Sequence, residues 1–322
     1  MTCINALPKR VRCYPRSVGT LATQGIEMKS FLIALAITLG AAANAMAQTP
    51  KQILFVVGPS SHPPGSHEVA AGARLMAHCV ENAENVSALH ATVVEGWPKD
   101  ESLLDSADSV VFIGDTFPPQ RLPDTEAILA KLDQMMRRGC GIACIHYATG
   151  LLGKDVAADG EHPLLHWMGG YFANNTCPHH QGIAKIFQAA TITPATPTHP
   201  ISRGWSEFTI HDEPYIKNYF GKNDNQLAAN VTALATSMLP PEKPEREIVA
   251  WCVEREPATG GGRGFAIVMP HFYKNWSDED LRRLILNAIV WTANREVPPI
   301  GVRGQLPNLA TFEPVSVEVS SR

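Results

Sequence analysis

The chain has 322 residues, 45% apolar and 18% charged, with 25 Pro and 24 Gly. Such a composition buries a sizeable core and is rich in turns, which excludes a disordered, collagenous or coiled-coil chain. The formal net charge is −4, and no block of like charges advertises a phosphate backbone, so no nucleic acid is expected as a partner.

In chain order, the first feature is a leader. Met28-Lys29-Ser30, an apolar run over 31–39 and the small residues ending Ala45-Met46-Ala47 have the three parts of a secretory signal peptide. The apolar run is shorter than the roughly 20 residues a spanning helix needs. Cleavage after Ala47 is expected, with Met28 the better start, and this places the mature chain in the periplasm or outside the cell, free of the membrane. Removing 1–47 takes five basic residues and one acid from totals of 27 and 31, leaving a net charge of −8.

The mature chain alternates strand and helix signals. Strands are predicted over 53–57, 91–95, 109–115 and 141–146, with helices over 68–82 and 125–138, the latter closed by Gly139. Continuous apolar strands joined by helices call for a mostly parallel sheet covered on both faces. Beyond residue 150 the rhythm is irregular. Strand-like pieces recur at 183–188, 208–216, 248–254 and 265–269, and a last amphipathic helix covers 278–294 with Ser277 as its N-cap. One α/β domain over 48–296 is expected, followed by a Pro-rich arm over 297–322 that is a reasonable place for a homodimer contact.

Five cysteines remain after the leader, Cys79, Cys140, Cys144, Cys177 and Cys252. Export permits a disulfide, but five in this length are no disulfide scaffold, and Cys140 and Cys144 read as small core residues. All twelve histidines lie in the mature part. In an open α/β sheet, ligands bind at the carboxyl ends of the strands. The loops there carry His62, His67, His146 and His271, and the acidic pair Asp212-Glu213 is added from a later strand. His78, His90, His162 and His199 are assigned ordinary structural roles.

These residues lie in motifs that occur together: Gly58-Pro-Ser-Ser-His62-Pro-Pro-Gly-Ser-His67-Glu68, Gly141-Ile-Ala-Cys-Ile-His146-Tyr-Ala, Trp167-Met-Gly-Gly-Tyr-Phe172, Thr198-His-Pro-Ile-Ser-Arg-Gly204, Phe208-Thr-Ile-His-Asp-Glu-Pro-Tyr215, Gly262-Arg-Gly-Phe265 and Leu286-Asn-Ala-Ile-Val-Trp291. In this order they resemble the ThuA-like (trehalose utilisation) family over about residues 51–295. The resemblance implies a flavodoxin-like, class I glutamine amidotransferase-like three-layer sandwich and a part in the use of trehalose or other glycosides.

Amidotransferases place a Cys nucleophile on a sharp strand-to-helix turn. Here that position is His146, and Cys144 lies two residues back within the strand. An imidazole there is a poor acyl nucleophile and a good metal ligand or base, so amidotransferase chemistry is not expected.

Two mechanisms fit the residues. In one, two or three of His67, His146 and His271 with one carboxylate, of Asp212 or Glu213, hold Zn, Mn or Fe, which polarises a sugar carbonyl while a neighbouring His or Glu moves a proton. In the other, without metal, Glu213 or His146 is the base and further histidines bind hydroxyls. Strand alternation puts Asp212 and Glu213 on opposite sides and groups Glu213 with His211 as a base and its orienter. His62, Tyr147 and Tyr215 are the expected substrate contacts. The chain reads as an exported sugar lyase, isomerase or hydrolase with no nucleotide cofactor, or else as an accessory carbohydrate-binding protein that kept the fold without turnover.

Overall fold

The computed structural model describes residues 49–319; the leader expectation over 1–47 lies outside them. In chain order the elements are β1 (Lys51–Val57), α1 (Val69–Glu81), β2 (Leu89–Glu95), α2 (Glu101–Ser106), β3 (Ser109–Ile113), α3 (Thr125–Arg137), β4 (Gly141–Ile145), β5 (Gly150–Leu151), α4 (Pro163–Met168), β6 (Phe172–Ala173), β7 (Phe187–Pro194), β8 (Phe208–Asp212), β9 (Val231–Leu239), β10 (Glu245–Glu254), β11 (Arg263–Ile267) and α5 (Glu279–Thr292). No helix among the described residues is long and apolar enough to cross a membrane.

Nine strands form one sheet in the order β2-β1-β3-β4-β11-β10-β9-β7-β8, and β5 pairs with β6 apart from it. The sheet is parallel from β2 to β11 and antiparallel beyond. β3 and β4 are buried along their whole length, which is why they read as unbroken apolar runs instead of alternating ones. The connection β1-α1-β2 steps one way across the sheet and β2-α2-β3-α3-β4 steps back the other way. Right-handed crossovers therefore put α1 on one face and α2 with α3 on the other. α5 joins α1, and Lys131 of α3 pairs with Glu101 and Asp105 of α2.

Several boundaries differ from the sequence expectations. β9 has no predicted counterpart, because Val231-Thr-Ala-Leu-Ala-Thr-Ser-Met-Leu239 is dominated by small residues with weak alternation. The piece predicted over 183–188 begins later, at Phe187, and Ile183 makes only an isolated bridge to Ile216. The N-cap of α5 is Asp278, not Ser277: the Asp278 carboxylate accepts the Leu281 N–H at 2.9 Å, and an anion at this end also meets the positive pole of the helix. The C-terminal arm packs along α1, where Arg74 donates to Phe312 O and the Glu68 carboxylate accepts from Val315 N and Ser316 N.

Four neighbouring parallel strands, β1, β3, β4 and β11, end on one edge of the sheet. At about 4.8 Å per strand, their exit loops span roughly 14 Å, within reach of long side chains from both sides. β1 and β3 leave the sheet side by side through Gly58 and Gly114. A Cβ on Gly114 would lie 2.6 Å from Gly58 Cα, so only glycine permits this approach. Gly114→Ala is expected to cost about 2 kcal/mol, lowering Tm by roughly 4–8 °C in a thermal melt.

Candidate metal centre

The loop after β1 carries His62 and His67, the residue after Gly114 is Asp115, β4 exits into His146, and β11 is followed by His271. His67 and His146 sit in the left-handed backbone region, at φ +47° and +50°. For non-glycine residues this costs about 1–3 kcal/mol each, and it is concentrated where function holds a side chain in place. β8 supplies Glu213. Four successive antiparallel pairings separate β8 from β11, so β8 runs the same way as the parallel strands and also ends on the edge with the histidines.

Four ligand-type atoms converge there: His67 Nε2, His146 Nε2, His271 Nδ1 and a Glu213 carboxylate oxygen lie within 4.8 Å of one another. His271 Nδ1 is 2.9 Å from His67 Nε2, 3.2 Å from His146 Nε2 and 3.1 Å from Glu213 Oε2. Glu213 Oε2 is 3.9 Å from His146 Nε2. Ligands about 2.05 Å from a tetrahedral ion are about 3.3 Å apart, the middle of this range.

The proton positions sharpen the fit. His146 Nδ1–H donates to the Val268 carbonyl at 2.9 Å, which leaves Nε2 a bare acceptor facing the cluster. His67 Nδ1–H donates to Asp115 Oδ1 at 2.7 Å, with the same consequence. Burial alone would raise Asp115, but hydrogen bonds from His62, His67 and Ser61 outweigh it and hold the carboxyl below its usual range, so it accepts. Two bare nitrogens and a carboxylate thus face His271 Nδ1, which can offer them at most one proton. A divalent cation satisfies every one of these lone pairs, and ligand histidines fixed from behind by a carboxylate or a backbone carbonyl are the usual outer support of such a site. The residues present fit a metal ion.

Burial pushes His67 down to about 4 against the pull of Asp115, and burial with His67 and His271 alongside pushes His146 well below its ordinary value. Away from the cluster, burial also brings His162 down to about 4, where its neutral Nδ1 accepts the Leu164 N–H and caps α4. An imidazole depressed in the fold stabilises fully above its unfolded value of about 6.5 and loses that contribution as pH falls from 6.5 toward 4. For His67 and His162 the loss at pH 5 is roughly 2 kcal/mol each. His146 loses stability in the same direction, so urea unfolding of metal-free protein should show a drop of at least about 4 kcal/mol between pH 7.5 and 5, and His162→Gln should remove roughly 2 kcal/mol of it.

Other sequence-singled residues fall into place around this centre or away from it. Tyr215 is buried and stacks on His146 with centroids 4.5 Å apart, its hydroxyl 3.1 Å from His146 Nε2. Tyr147 is half-buried, 5.9 Å from the His67 ring centroid, and its hydroxyl accepts from Asn174 at 3.2 Å. His62 stands at the rim with its side chain 28% exposed.

Asp212 and His211 do not join the cluster. The Asp212 carboxylate is fully buried and faces the β11 exit, accepting from Glu213 N, His271 N, Phe272 N and Asn275 Nδ2. Every donor around it is spent on aligning the two loops that carry Glu213 and His271. β8 ends at Asp212, and capture of the Glu213 N–H turns the chain, so the alternation that grouped His211 with Glu213 stops there. The His211 ring leans on Phe272, 5.1 Å away.

Asp115 escaped the sequence reading, although its position one residue beyond Gly114 at a strand exit was a usable signal. Cys144 is completely buried with its thiol pushed well up by burial, which keeps it from acting as a nucleophile. The other described cysteines are also buried and unpaired. Tyr171 bridges to Tyr219, and Phe172 pairs in β6 with β5.

The family model ThuA, described as trehalose utilisation, matches residues 57–292. Among solved structures, a ThuA-like protein from Bacteroides uniformis is similar at 14% identity and a TM-score of 0.54, covering 78% of this chain and 94% of that one. Agd3, a carbohydrate deacetylase, is similar at 11% identity and a TM-score of 0.43, over 76% of this chain and 33% of that one. No curated protein matches. With its strand-exit histidines in place and the family model matched over most of its length, the chain belongs to the ThuA family.

Proposed function

We propose that this protein is an exported, metal-dependent enzyme of carbohydrate use that acts on a sugar or glycoside bearing a carbonyl, such as a 3-keto-glycoside of trehalose type, as a lyase, isomerase or hydrolase. One observation carries the reading: three imidazole nitrogens and one carboxylate oxygen converge at the strand-exit edge, with two of the imidazoles locked in the tautomer a cation requires. The order β2-β1-β3-β4-β11 of the parallel half of the sheet supports a doubly wound, flavodoxin-like reading, in which ligands sit at this edge.

His67, His146, His271 and Glu213 would hold Zn, Mn or Fe. When bound, such an ion supplies a Lewis acid for a substrate carbonyl oxygen. The chain's own groups do the rest. Tyr215, its phenol kept protonated by burial and by the charge of Glu213, presents an O–H donor beside the centre. Tyr147 and His62 form the half-exposed rim against which a pyranose ring can lie. Asp212 and Asp115 hold the ligand-bearing loops from behind.

The test is metal analysis of the purified mature protein, then incubation with trehalose and 3-keto-trehalose. One tightly held divalent ion per chain, removed by chelation together with turnover, is the expected result. A protein that retains no ion after soaking in Zn or Mn overturns the reading; bound metal without turnover of any glycoside favours the accessory carbohydrate-binding role. Export is checked separately by N-terminal sequencing of protein from the periplasm, which should begin at Gln48.

A further inference from the structure

The ligand set leaves the site short of a proton carrier. With His67, His146 and His271 committed to a cation, none of the three imidazoles keeps a lone pair for a substrate proton, and the Glu213 oxygen that meets them, Oε2, is committed as well. His62 is different. Its Nδ1 lies 3.1 and 3.2 Å from the two oxygens of Asp115, whose Oδ2 is also fixed by Ser61 N and Oγ at 2.7 and 2.8 Å. That carboxylate is an acceptor, so His62 Nδ1 carries the hydrogen and Nε2 carries a lone pair. Among the described residues no hydrogen-bond partner meets His62 Nε2. The ring stacks on His67 with centroids 3.5 Å apart and lies 5.7 Å from His271 and 6.1 Å from Tyr147. A base at the open rim, oriented through its far nitrogen by a buried carboxylate, is the arrangement used for general acid–base catalysis.

We propose that His62, oriented by Asp115, is the acid–base residue of this site, taking a proton from the carbon next to the substrate carbonyl and returning it. The proposal rests on the function argued above. For a 3-keto-glycoside, the C2–H bond breaks and the proton passes to His62 Nε2. The freed electron pair forms a double bond to the carbonyl carbon, and the carbonyl π pair moves to oxygen. The imidazolium is balanced by Asp115. Return of the proton to C2 restores the ketone, so the minimal reaction is exchange of that hydrogen with water. Asp115 also holds His67, so one carboxylate aligns both a ligand and the base, keeping the two rings at fixed separation.

The experiment uses the full mature protein loaded with Zn or Mn and 3-keto-trehalose in D2O, following loss of the C2–H proton signal. His62→Gln is expected to lower the exchange rate by roughly 100-fold or more while binding the same amount of metal. His62→Ala should behave likewise and regain exchange when imidazole is added. His90→Gln, at an exposed histidine paired with Glu81, is expected to leave both readouts unchanged. Exchange in His62→Gln within about threefold of the unmodified protein, or no exchange by the metal-loaded unmodified protein, overturns the assignment. Failure of the unmodified protein to take up metal at all overturns the function reading instead.

Discussion

Replacing His271 with Ala is expected to abolish tight metal binding while leaving the metal-free fold nearly as stable as before. His271 Nδ1 is the hub of the cluster, within 2.9 to 3.2 Å of the other three ligand atoms. Its loss opens the centre of the ligand set, and the effect should exceed the roughly 10–100-fold that a change in an outer-shell partner costs. The backbone of residue 271 keeps its bonds, since His271 N donates to Asp212 and His271 O accepts from His67 N. Removing the ring also relieves the crowding of lone pairs in the metal-free state, so the unfolding free energy without metal should stay within about 1 kcal/mol. Thermal melts read both effects. The unmodified protein should gain about 2.7 kcal/mol of stability at a metal concentration 100 times its Kd, and His271→Ala should gain none at that concentration. A metal-induced shift in the variant equal to that of the parent would rule out His271 as a ligand.

Asp212→Ala is expected to be the most damaging single change at the site, for a different reason. The carboxylate accepts four hydrogen bonds in a fully buried position. Its removal strands three backbone N–H groups and the Asn275 amide, each costing about 1–3 kcal/mol when left unmet. Part of that is recovered by relaxation and entry of water, so a loss of about 4 kcal/mol or more in urea unfolding is expected. Because Glu213 and His271 are positioned through this one group, metal affinity should fall with stability. Asp212→Asn keeps one oxygen acceptor and should lie between. An Asp212→Ala protein that unfolds within about 1 kcal/mol of the parent would show that the loops are held by other contacts.

The order in which the histidines reach the site was legible because it depends on local signals. Apolar runs ending in Gly58-Pro59, Gly114-Asp115 and His146-Tyr147 mark strand exits wherever the chain goes next. Once four such strands pair in parallel, their exits share an edge. His62, His67, His146 and His271 then lie near one another with no further information. Which carboxylate completes the set was not legible in the same way. Alternation implied that only one of Asp212 and Glu213 turns inward, and it grouped Glu213 with His211. That inference assumes a strand continuing through residue 213, whereas the strand ends at Asp212 because a contact 59 residues distant in sequence, to His271 N, captures the Asp212 side chain. β9 escaped for a related reason: Ala, Thr and Ser along 232–237 declare a strand only when β10 and β7 are beside them.

By itself, then, the sequence determined the α/β class, the strand-exit edge and the imidazoles gathered on it, because periodicity and turn chemistry act over a few residues. The tertiary structure alone decided that Glu213 and not Asp212 faces the cluster, that Asp115 orients both His62 and His67, and that Asp212 ties the β8 and β11 exits together. In a flat sheet β8 would stand about 19 Å from β11, four strand spacings away; hydrogen bonds from His271 N and Phe272 N to Asp212 nonetheless hold the two exits together. Those contacts join residues far apart in the chain, which no short stretch of sequence encodes.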